Sequence, residues 1–560
     1  MAGLWDSVRR AIIAQWAIAL PVFALFWIFP YLPDLRSPNE LCRLHQTRAL
    51  VDHHTIEINQ TLREWGWAGD LSCVAIRRVD GLEAERKPCP EVRGRREWSE
   101  EHFYPSKAPL LSFAAAPVLW ALEHWRGGAR AVPELALVFF GRLFCTILPT
   151  ALMLIPLRRY LRARTDRSVA DALVATYALG TLAFSYSELF MSHQTTAVLV
   201  FLTFYSVWRL GRGEWRDDLY LLSGLLAGLT VASEYTGALP LVPLALYGVA
   251  TAKRKIKALV FASVGLTPVV IALMWYHSAA FGDPFVTGYK FLNDGAYQHW
   301  HLGGFLGIRY PDPRAFVLSF CSPLRGLFAL SPVLALGVLG LPFGKWSRDL
   351  RKERALSVAV LLLFAYFTSS FTYDSWGWTT GPRHLTPLVP FLLVPIAALV
   401  TQLRGRFGSV GVVAGLAAVS IFVTSTMTFV DYIPDSVTDG LTELAIPLVK
   451  TGHFPNSLAA IAGVANPLAI APAILAVALT IVGVVVALVD VGHRAASSAL
   501  ALAAFVGFLA LHGRVKPENE GMVNSARAMK QLLENSWIPK PKTASPKLFP
   551  QPPSTSSPRR

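Results

Sequence analysis

Charged residues are scarce in this chain. Of its 560 residues, 16% are charged and 53% are hydrophobic. This composition excludes an ordinary soluble globular protein, which carries charge on about a quarter of its residues. Apolar segments of about 18 to 25 residues recur instead from end to end, and this length crosses the hydrocarbon core of a bilayer. The sequence therefore predicts an all-α polytopic membrane protein.

The chain also lacks the motifs of several other classes of protein. It has neither a P-loop nor a Rossmann glycine pattern, so we expect no nucleotide cofactor. Its five cysteines do not have the spacing of a zinc site, and we assign no metal. The net charge of +15 does not indicate nucleic-acid binding, because the Lys and Arg residues cluster in short loops between apolar runs.

The apolar runs predict about 13 transmembrane helices. The first run, 11–32, is long for the apolar part of a signal peptide and has no small-residue cleavage site, so we interpret it as a retained span. The N terminus then lies in the cytoplasm, behind Arg9 and Arg10. The other predicted spans are 132–156, 168–187, 190–210, 218–235, 237–252, 256–280, 325–344, 354–373, 384–402, 407–430, 466–491 and 494–512.

The loops between these spans alternate in charge, which predicts the topology. The basic loops are expected in the cytoplasm: RRYLRARTDR (158–167), RLGRGEWR (209–216), KRKIK (253–257), KWSRDLRKER (345–354) and LRGR (403–406). An even number of crossings must then separate Arg9 from 158–167, so segment 108–125 is predicted to be a juxtamembrane or re-entrant helix on the outer face. RGGAR (126–130) is the one short basic loop that this topology leaves outside.

With this topology, the unusual polar segments share the outer side of the membrane. They are the first loop (33–107), SYSELFMSHQ (185–194), ASEYTGALP (232–240), the loop 281–324, YDSWGWTTGPR (373–383) and the loop 431–465. An enzyme that works at a lipid boundary needs its polar groups on one face. We therefore predict a catalytic module over 1–430, a C-terminal loop and helices over 431–512, and a Pro- and Ser-rich tail, disordered beyond a short amphipathic helix, over 513–560.

Two acids follow the first span. Glu40 lies in SPNELCRL, and a helix that begins near Pro38 places it on one face with Arg43. A carboxylate at the bilayer edge can deprotonate an acceptor hydroxyl, so Glu40 is the candidate base. Asp34, nearer the lipid, is the alternative candidate base. Glu40 has a second interpretation, as an ordinary solvated acid in a loop.

Further candidates lie at the end of the first loop and inside a span. Tyr104 and Lys107 in YPSKAPLL suit a lipid phosphate, or simply anchor the loop at the interface. Arg142 lies within a span, where a cation is rare and faces a cavity or a partner. Glu188 and Glu234, in outer-edge turns, are either its partners or exposed.

Histidines and later outer segments complete the candidate site. His193 begins a span as an active-site group or an interfacial histidine, and the pair His299 and His301 is only a weak metal signal. Arg325 lies at the outer mouth of a span, in SFCSPLRGLF.

The segment 373–392 has the residue types of a sugar phosphate site. It contains Asp374, Trp376, Trp378 and Arg383 in one short loop. Indole rings stack on sugars, and an arginine binds phosphate through charge-assisted hydrogen bonds. The tryptophans alone are also typical of an interfacial aromatic belt.

Taken in order, the motifs resemble a known superfamily. NELCR, YPSKAP, SH, ASEY, FGDPFVTGY, SPLRGLFALSP and WGWTTGPRHLTPLVPF are together similar to the bacterial branch of the type C glycosyltransferases, which includes protein mannosyltransferases and lipid A aminoarabinose transferases. The resemblance implies a polyprenyl-phosphate sugar donor and a carboxylate in the first outer loop that serves as base or as acceptor-positioning group. Glu40 matches the second residue of the Asp-Glu pair common in relatives, and Asn39 stands in place of the Asp.

The leading hypothesis is therefore a transferase of the bacterial inner membrane. It moves a sugar, with inversion, from a polyprenyl-phosphate donor to a glycan, lipid or protein acceptor on the periplasmic side. The alternatives are a flippase or transporter of a lipid-linked saccharide, which needs more polar groups deep in the spans, and a non-catalytic scaffold. If the first loop is outside, a disulfide is allowed, most simply Cys73 with Cys89; free thiols remain the alternative.

Overall fold

The computed structural model describes residues 2–29, 37–98, 100–128, 132–304, 307–371, 380–430, 437–450, 452, 454–464 and 467–515. Four of the predicted site residues, Asp34, Asp374, Trp376 and Trp378, lie outside these ranges, as do most of the tail and residues 129–130 of the basic RGGAR loop.

The N-terminal half contains a first helix, a mixed outer loop and a series of apolar helices. These elements are α1 (Ala2–Trp27), β1 (Ile28–Phe29), α2 (Pro38–Asp52), α3 (Asn59–Trp65), β2 (Leu71–Val79), β3 (Leu82–Pro88), α4 (Cys89–Val92), β4 (Glu100–Pro105), α5 (Leu110–Arg126), α6 (Glu134–Arg142), α7 (Leu148–Arg162), α8 (Arg167–Leu179), α9 (Leu182–Ser187), α10 (Ser192–Gly211), α11 (Tyr220–Ser233), α12 (Ala238–Thr251) and α13 (Lys255–Phe281).

The described elements of the C-terminal half are helices and one short strand. Its elements are α14 (Gly295–Leu302), α15 (Pro313–Phe320), α16 (Leu327–Leu330), α17 (Val333–Phe343), α18 (Arg351–Ser370), α19 (Val389–Leu403), α20 (Val410–Thr428), α21 (Ile446–Lys450), β5 (Asn456–Ser457), α22 (Leu458–Ile461), α23 (Ala471–Leu488) and α24 (Arg494–His512). The largest hydrophobic core joins α1, α8, α10, α19 and α20 with α23, so the C-terminal helices share the core of the N-terminal ones.

Seven described helical segments are long and apolar enough to cross a membrane, which marks the chain as an integral membrane protein. They are Glu134–Arg162, Lys255–Phe281, Arg348–Ser370, Arg383–Leu403, Val410–Thr428, Ala471–Leu488 and Val491–His512. Shorter apolar helices occur at Gln15–Trp27, Tyr235–Thr251 and Val333–Phe343. The total of about 13 crossings stays a prediction. The first helix differs from the predicted 11–32, since it begins at Ala2 and ends at Trp27.

The first loop (33–107) corrects the all-α prediction, because it folds partly as a three-stranded antiparallel sheet in the order β3-β2-β4. Val79 and Leu82 pair across a two-residue turn, and both turn residues, Asp80 and Gly81, have positive φ angles of 50° and 78°. An Asp-Gly pair favours this hairpin turn. A disulfide joins Cys73 in β2 to Cys89, directly after β3, so this loop is covalently closed.

Helices α11 and α13 pack closely against each other. A Cβ atom at Gly224 would lie 1.8 Å from the carbonyl oxygen of Ala262, and one at Gly265 would lie 1.9 Å from that of Leu221. Any side chain at these two positions must separate the backbones. These glycines therefore fix the spacing between α13 and α11, and the ASEY segment (232–235) begins in the last turn of α11.

The predicted cytoplasmic loops are joined to one another by ion pairs. Arg158 and Arg162 both bind Asp171, with nitrogen to oxygen distances of 2.7 and 2.9 Å, and Arg164 binds Glu353 at 2.5 Å. Arg404 pairs with Asp166. These contacts gather the loops 158–167, 345–354 and 403–406 at one end of the helices.

Candidate active site

At the other end of the helices, five of the six predicted polar segments surround one cavity of about 580 Å³. Its lining comes from the first loop (38–39, 67–71 and 107), from His193, from 234–239, from 287–308 and from 383–384, together with Phe367 and Phe371. No described residue of 431–465 lines it. The predicted clustering of polar segments is thus present in the fold.

Hydrogen bonds between loops hold this cavity together. The backbone N–H of Asn293 donates to the carbonyl of Leu71 at 2.9 Å, and the hydroxyl of Ser72 donates to the carbonyl of Gly288 at 2.7 Å. These contacts attach the loop 281–304 to the start of β2. Residues more than 200 positions apart therefore line the same cavity wall.

Lys107 and Asp70 form an ion pair in the cavity, with 3.4 Å between Nζ and a carboxylate oxygen. Burial alone would raise the pKa of Asp70, but the nearby cations Lys107 and Arg383 outweigh it and lower that pKa below its usual value. Burial would likewise lower the pKa of Lys107, and the Asp70 charge raises it instead. Both groups are therefore charged, and Lys107 also lies 5.4 Å from the ring centre of Tyr289.

Arg383 and a pair of histidines form another part of the lining. The rings of His193 and His384 are 5.0 Å apart and nearly perpendicular. The Nε of Arg383 is buried without a hydrogen-bond partner among the described residues. A guanidinium with a free donor suits an anion that enters the cavity.

Glu234 reaches the cavity at the end of a buried polar chain. The hydroxyl of Ser192 donates to Glu234 at 2.5 Å, and Arg43 donates to that hydroxyl at 3.0 Å. Arg43 also binds Asn39, which lines the cavity. Arg43 itself is fully buried and does not line the cavity, so it positions its neighbours.

Glu40 does not lie in the cavity, where a catalytic base must meet the acceptor. The helix that contains it does begin at Pro38, as predicted, but Glu40 is fully buried and does not line the cavity. Its carboxylate oxygens accept hydrogen bonds from Nε and Nη2 of Arg142 at 2.9 and 3.0 Å, and from the backbone N–H of Phe190 at 2.6 Å. The predicted pairing of Arg142 with an acid is present, but the acid is Glu40, and Glu188 and Glu234 do not take this place.

Two other predicted residues also lie off the cavity. Tyr104 is buried in β4 and packs edge-on against Phe281. Arg325 is buried next to α16. Of the predicted site residues that the structure describes, Lys107, His193, Glu234 and Arg383 line the cavity.

Sequence reasoning missed several lining residues, Asp70 and Tyr289 among them. Tyr289 stacks on His301 with ring centres 4.6 Å apart and planes 7° apart. Both lie in the loop 281–304, which the motif FGDPFVTGY marks, so this signal was available. Asp70 precedes β2, and the pairing of β2 with β4 brings it beside Lys107.

An apolar groove of about 630 Å³ adjoins the cavity at Tyr235, which lines both. It runs between α10, α11, α12 and α13, from Tyr220 and Ala258 to His277 and Phe285. His277 donates from Nδ1 to the carbonyl of Pro284 at 3.1 Å, so its Nε2 accepts the hydroxyl of Tyr235 at 2.8 Å. Tyr235 is thus fixed between groove and cavity.

Metal coordination has little support within the described ranges. The group of His, Cys, Asp and Glu atoms close enough to bind an ion there is Cys73, Cys89 and Glu101. Its two cysteines are bonded to each other, so their sulfurs are not available as thiolate ligands.

No protein-family model and no curated protein sequence matches this chain. Among solved structures, it is similar to ArnT, an aminoarabinose transferase, from Cupriavidus metallidurans. The undecaprenyl phosphate complex of ArnT gives a TM-score of 0.44 and the apo state 0.41. In both comparisons the identity is 14%, and 95% of this chain and 89% of the other are covered.

Proposed function

We propose that this chain is a membrane glycosyltransferase that uses a polyprenyl-phosphate-linked sugar. One observation carries the proposal: a cavity with two cations, an ionised carboxylate and stacked aromatic rings adjoins, at Tyr235, an apolar groove between membrane helices. A donor made of a sugar, a phosphate and a long hydrocarbon chain has the same order of chemical groups.

Each chemical group of the donor matches the residues that line one part of the cavity or the groove. Lys107 and Arg383 bind its phosphate in the cavity, where partial desolvation strengthens charge-assisted hydrogen bonds. The prenyl chain lies in the groove, which follows α11 over its 14 residues, a length of about 21 Å. The aromatic pair Tyr289 and His301 contacts the sugar face.

The reaction is a direct displacement at the anomeric carbon, with inversion. The oxygen of an acceptor hydroxyl forms the new glycosidic bond, a cavity carboxylate takes its proton, and the bond from the sugar to the phosphate oxygen breaks. Polyprenyl phosphate leaves with the electron pair, and the two cations stabilise its added charge. The donor brings its own leaving group, so no nucleotide or other cofactor enters this scheme.

The proposed setting follows the predicted topology. The cavity opens to the periplasmic side of a bacterial inner membrane, and a glycan, a lipid or a protein supplies the acceptor hydroxyl. The basic loops at the opposite end support this orientation through the positive-inside rule.

The test is sugar transfer by purified protein in lipid nanodiscs, with a radiolabelled polyprenyl-phosphate sugar and a membrane extract as acceptor. We expect label to leave the donor. Lys107→Ala and Arg383→Ala should each lower kcat/KM by about 10- to 150-fold, since each removes a charge-assisted contact of about 1.5–3 kcal/mol. Lys87→Ala is the matched control, because Lys87 lies in the outer sheet away from the cavity and pairs with Glu85. Movement of intact donor across a sealed bilayer, without consumption, favours the flippase instead.

A further inference from the structure

The proposed reaction needs a proton acceptor, and the described part of the cavity offers three carboxylates, Asp70, Glu234 and Asp294. These three carboxylates differ in their exposure and in their hydrogen bonds. The side chain of Asp70 is 33% exposed and that of Glu234 is 6% exposed. Glu234 already accepts a short hydrogen bond from Ser192. Asp294 is exposed at the rim and accepts the backbone N–H of Tyr297 at the start of α14.

The backbone of Asp70 is fixed in an uncommon conformation. Its φ angle is 56°, in the left-handed region that few residues other than glycine adopt. Its carbonyl accepts both the backbone N–H and the hydroxyl of Ser106, at 3.0 and 2.8 Å. Strained residues held by their surroundings in this way are concentrated at functional sites. Ser106 and Lys107 are neighbours, so the same turn holds the backbone of Asp70 and pairs with its side chain.

Asp70 also lies beside the start of α2. A Cβ atom built at Gly69 would be 2.8 Å from Cβ of Pro38, so the segment 67–71 packs directly on the residue before Asn39. Asn39 lines the cavity but is neutral and cannot accept a proton from a hydroxyl at neutral pH. Asp70 thus supplies a negative charge next to Asn39, from a different element of the same loop.

We propose that Asp70 is the catalytic base that deprotonates the acceptor hydroxyl. This assignment rests on the proposed glycosyltransferase function. As the acceptor oxygen bonds to the anomeric carbon, a carboxylate oxygen of Asp70 takes the hydroxyl proton, and the electron pair of the broken bond leaves on the donor phosphate. The proton then passes to water or to the departing phosphate. Glu40 acts as a positioning residue, because through Arg142 and Phe190 it fixes the helix that carries Asn39.

Lys107 links donor binding to the base. Its ammonium group has three donors, so it can hold the donor phosphate and Asp70 together. In the structure Lys107 pairs with Asp70 and neutralises its charge. A bound phosphate shares the positive charge, which leaves Asp70 a stronger acceptor while the leaving group is in place. The base is therefore activated by the donor that it needs.

The experiment compares Asp70→Asn with the same change at each of the other candidate acids: Glu40→Gln, Glu234→Gln, Asp294→Asn, Asp34→Asn and Asp374→Asn. For Asp70→Asn we expect kcat to fall by about 100- to 10,000-fold, the usual contribution of general base catalysis. Binding of undecaprenyl phosphate without sugar should be unchanged or tighter, because Lys107 is released. A merely structural ion pair would lower binding and melting temperature together with turnover.

Two further variants keep the assignment testable if Asp70→Asn folds poorly. Asp70→Glu keeps a carboxylate and should retain part of the turnover. Asp70→Ala should recover turnover with added formate, which restores a small carboxylate to the space. Wild-type turnover in Asp70→Asn, or loss confined to another acid, overturns the assignment and leaves the transferase intact. A wild-type protein that consumes no donor overturns the proposed function itself.

Discussion

Buried charges in this chain have one of two surroundings. Glu40 and Arg142 are both fully buried and satisfy each other through two hydrogen bonds. Asp70 and Lys107 are an ion pair too, but they face a cavity and are 33% and 12% exposed. The first arrangement excludes substrate, and the second leaves room for one. Burial and neighbours, more than residue type, thus separate a positioning acid from a candidate catalytic one.

The Glu40 and Arg142 pair yields a stability prediction. Glu40→Gln leaves the Arg142 charge buried without its counter-charge, so we expect the free energy of unfolding to fall by about 3–5 kcal/mol. Replacing both, with Glu40→Leu and Arg142→Met, should recover most of this loss. Thermal melting in detergent measures both effects. Glu100→Gln is the control, since Glu100 pairs with Arg78 at 46% and 45% exposure, where an ion pair contributes about 0–1 kcal/mol. Unchanged melting with lost turnover in Glu40→Gln would restore it as the base.

The sequence could predict many single residues of the candidate site, but not their partners. Lys107, His193, Glu234 and Arg383 are predicted from their places in the polar segments beside the apolar runs, and all four line the cavity. Glu40 also lies in such a segment, yet Arg142, 102 positions away, pairs with its carboxylate. Asp70 has no local signal at all, since its place in the cavity depends on Lys107 across the sheet.

At the scale of elements, the three-stranded sheet of the first loop has a clear signal in the sequence. That signal is easily overlooked in a membrane protein. The runs LSCVAIRRV and LEAERKP flank Asp80 and Gly81, which is a strong hairpin signal in a soluble protein. Hydropathy dominates the interpretation of a membrane chain, and a strand of nine residues is too short to register as a span. The helices, in contrast, follow directly from the apolar runs.

The disulfide should stabilise this sheet measurably. It closes a loop between residues 16 apart, for which the chain-entropy account gives about 3 kcal/mol. We expect Cys73→Ala with Cys89→Ala, or a reducing agent, to lower the melting temperature of the purified protein. Cys321→Ala is the control, because Cys321 is a free and exposed cysteine. An equal melting temperature with and without reductant would show that the disulfide adds nothing to the stability of the folded loop.

The groove between α10 and α13 gives a prediction on donor length. Ala245 lines it, so Ala245→Trp should fill the space of the prenyl chain. Losing the burial of one large apolar group costs about 1.5–3 kcal/mol, and we expect KM for an undecaprenyl donor to rise by about 10- to 150-fold. A donor with two isoprene units should be affected less. Leu246→Trp is the matched control, on the same helix, 69% exposed and outside the groove lining. Equal effects on long and short donors would place the chain elsewhere.

At the scale of the whole molecule, two opposite ends have different chemistry. One end collects basic loops joined by Arg to Asp and Glu pairs, and the other collects the cavity and the disulfide-closed sheet. Periodicity and charge counts predict this division, since each helix must be apolar and each loop must lie on one side. They do not predict which outer segments meet, because that depends on how the helices pack.

The division predicts which positions a membrane-impermeant maleimide reaches from the periplasm in intact cells. On a Cys321→Ser background, Gly295→Cys should be labelled, because no atom lies within 4 Å of a Cβ built there and the position adjoins the cavity. Arg216→Cys, at a side chain 86% exposed in a predicted cytoplasmic loop, should react only after the membrane is opened.

Gly128→Cys tests whether α5 lies along the outer interface or crosses the membrane. Gly128 has open space around it and follows a helix with exposed Trp120 and Trp125. Labelling in intact cells is expected if α5 lies along the outer interface. Protection of Gly128 together with labelling of Arg216 would make α5 a crossing, invert every later loop and remove the basic ends from the cytoplasm.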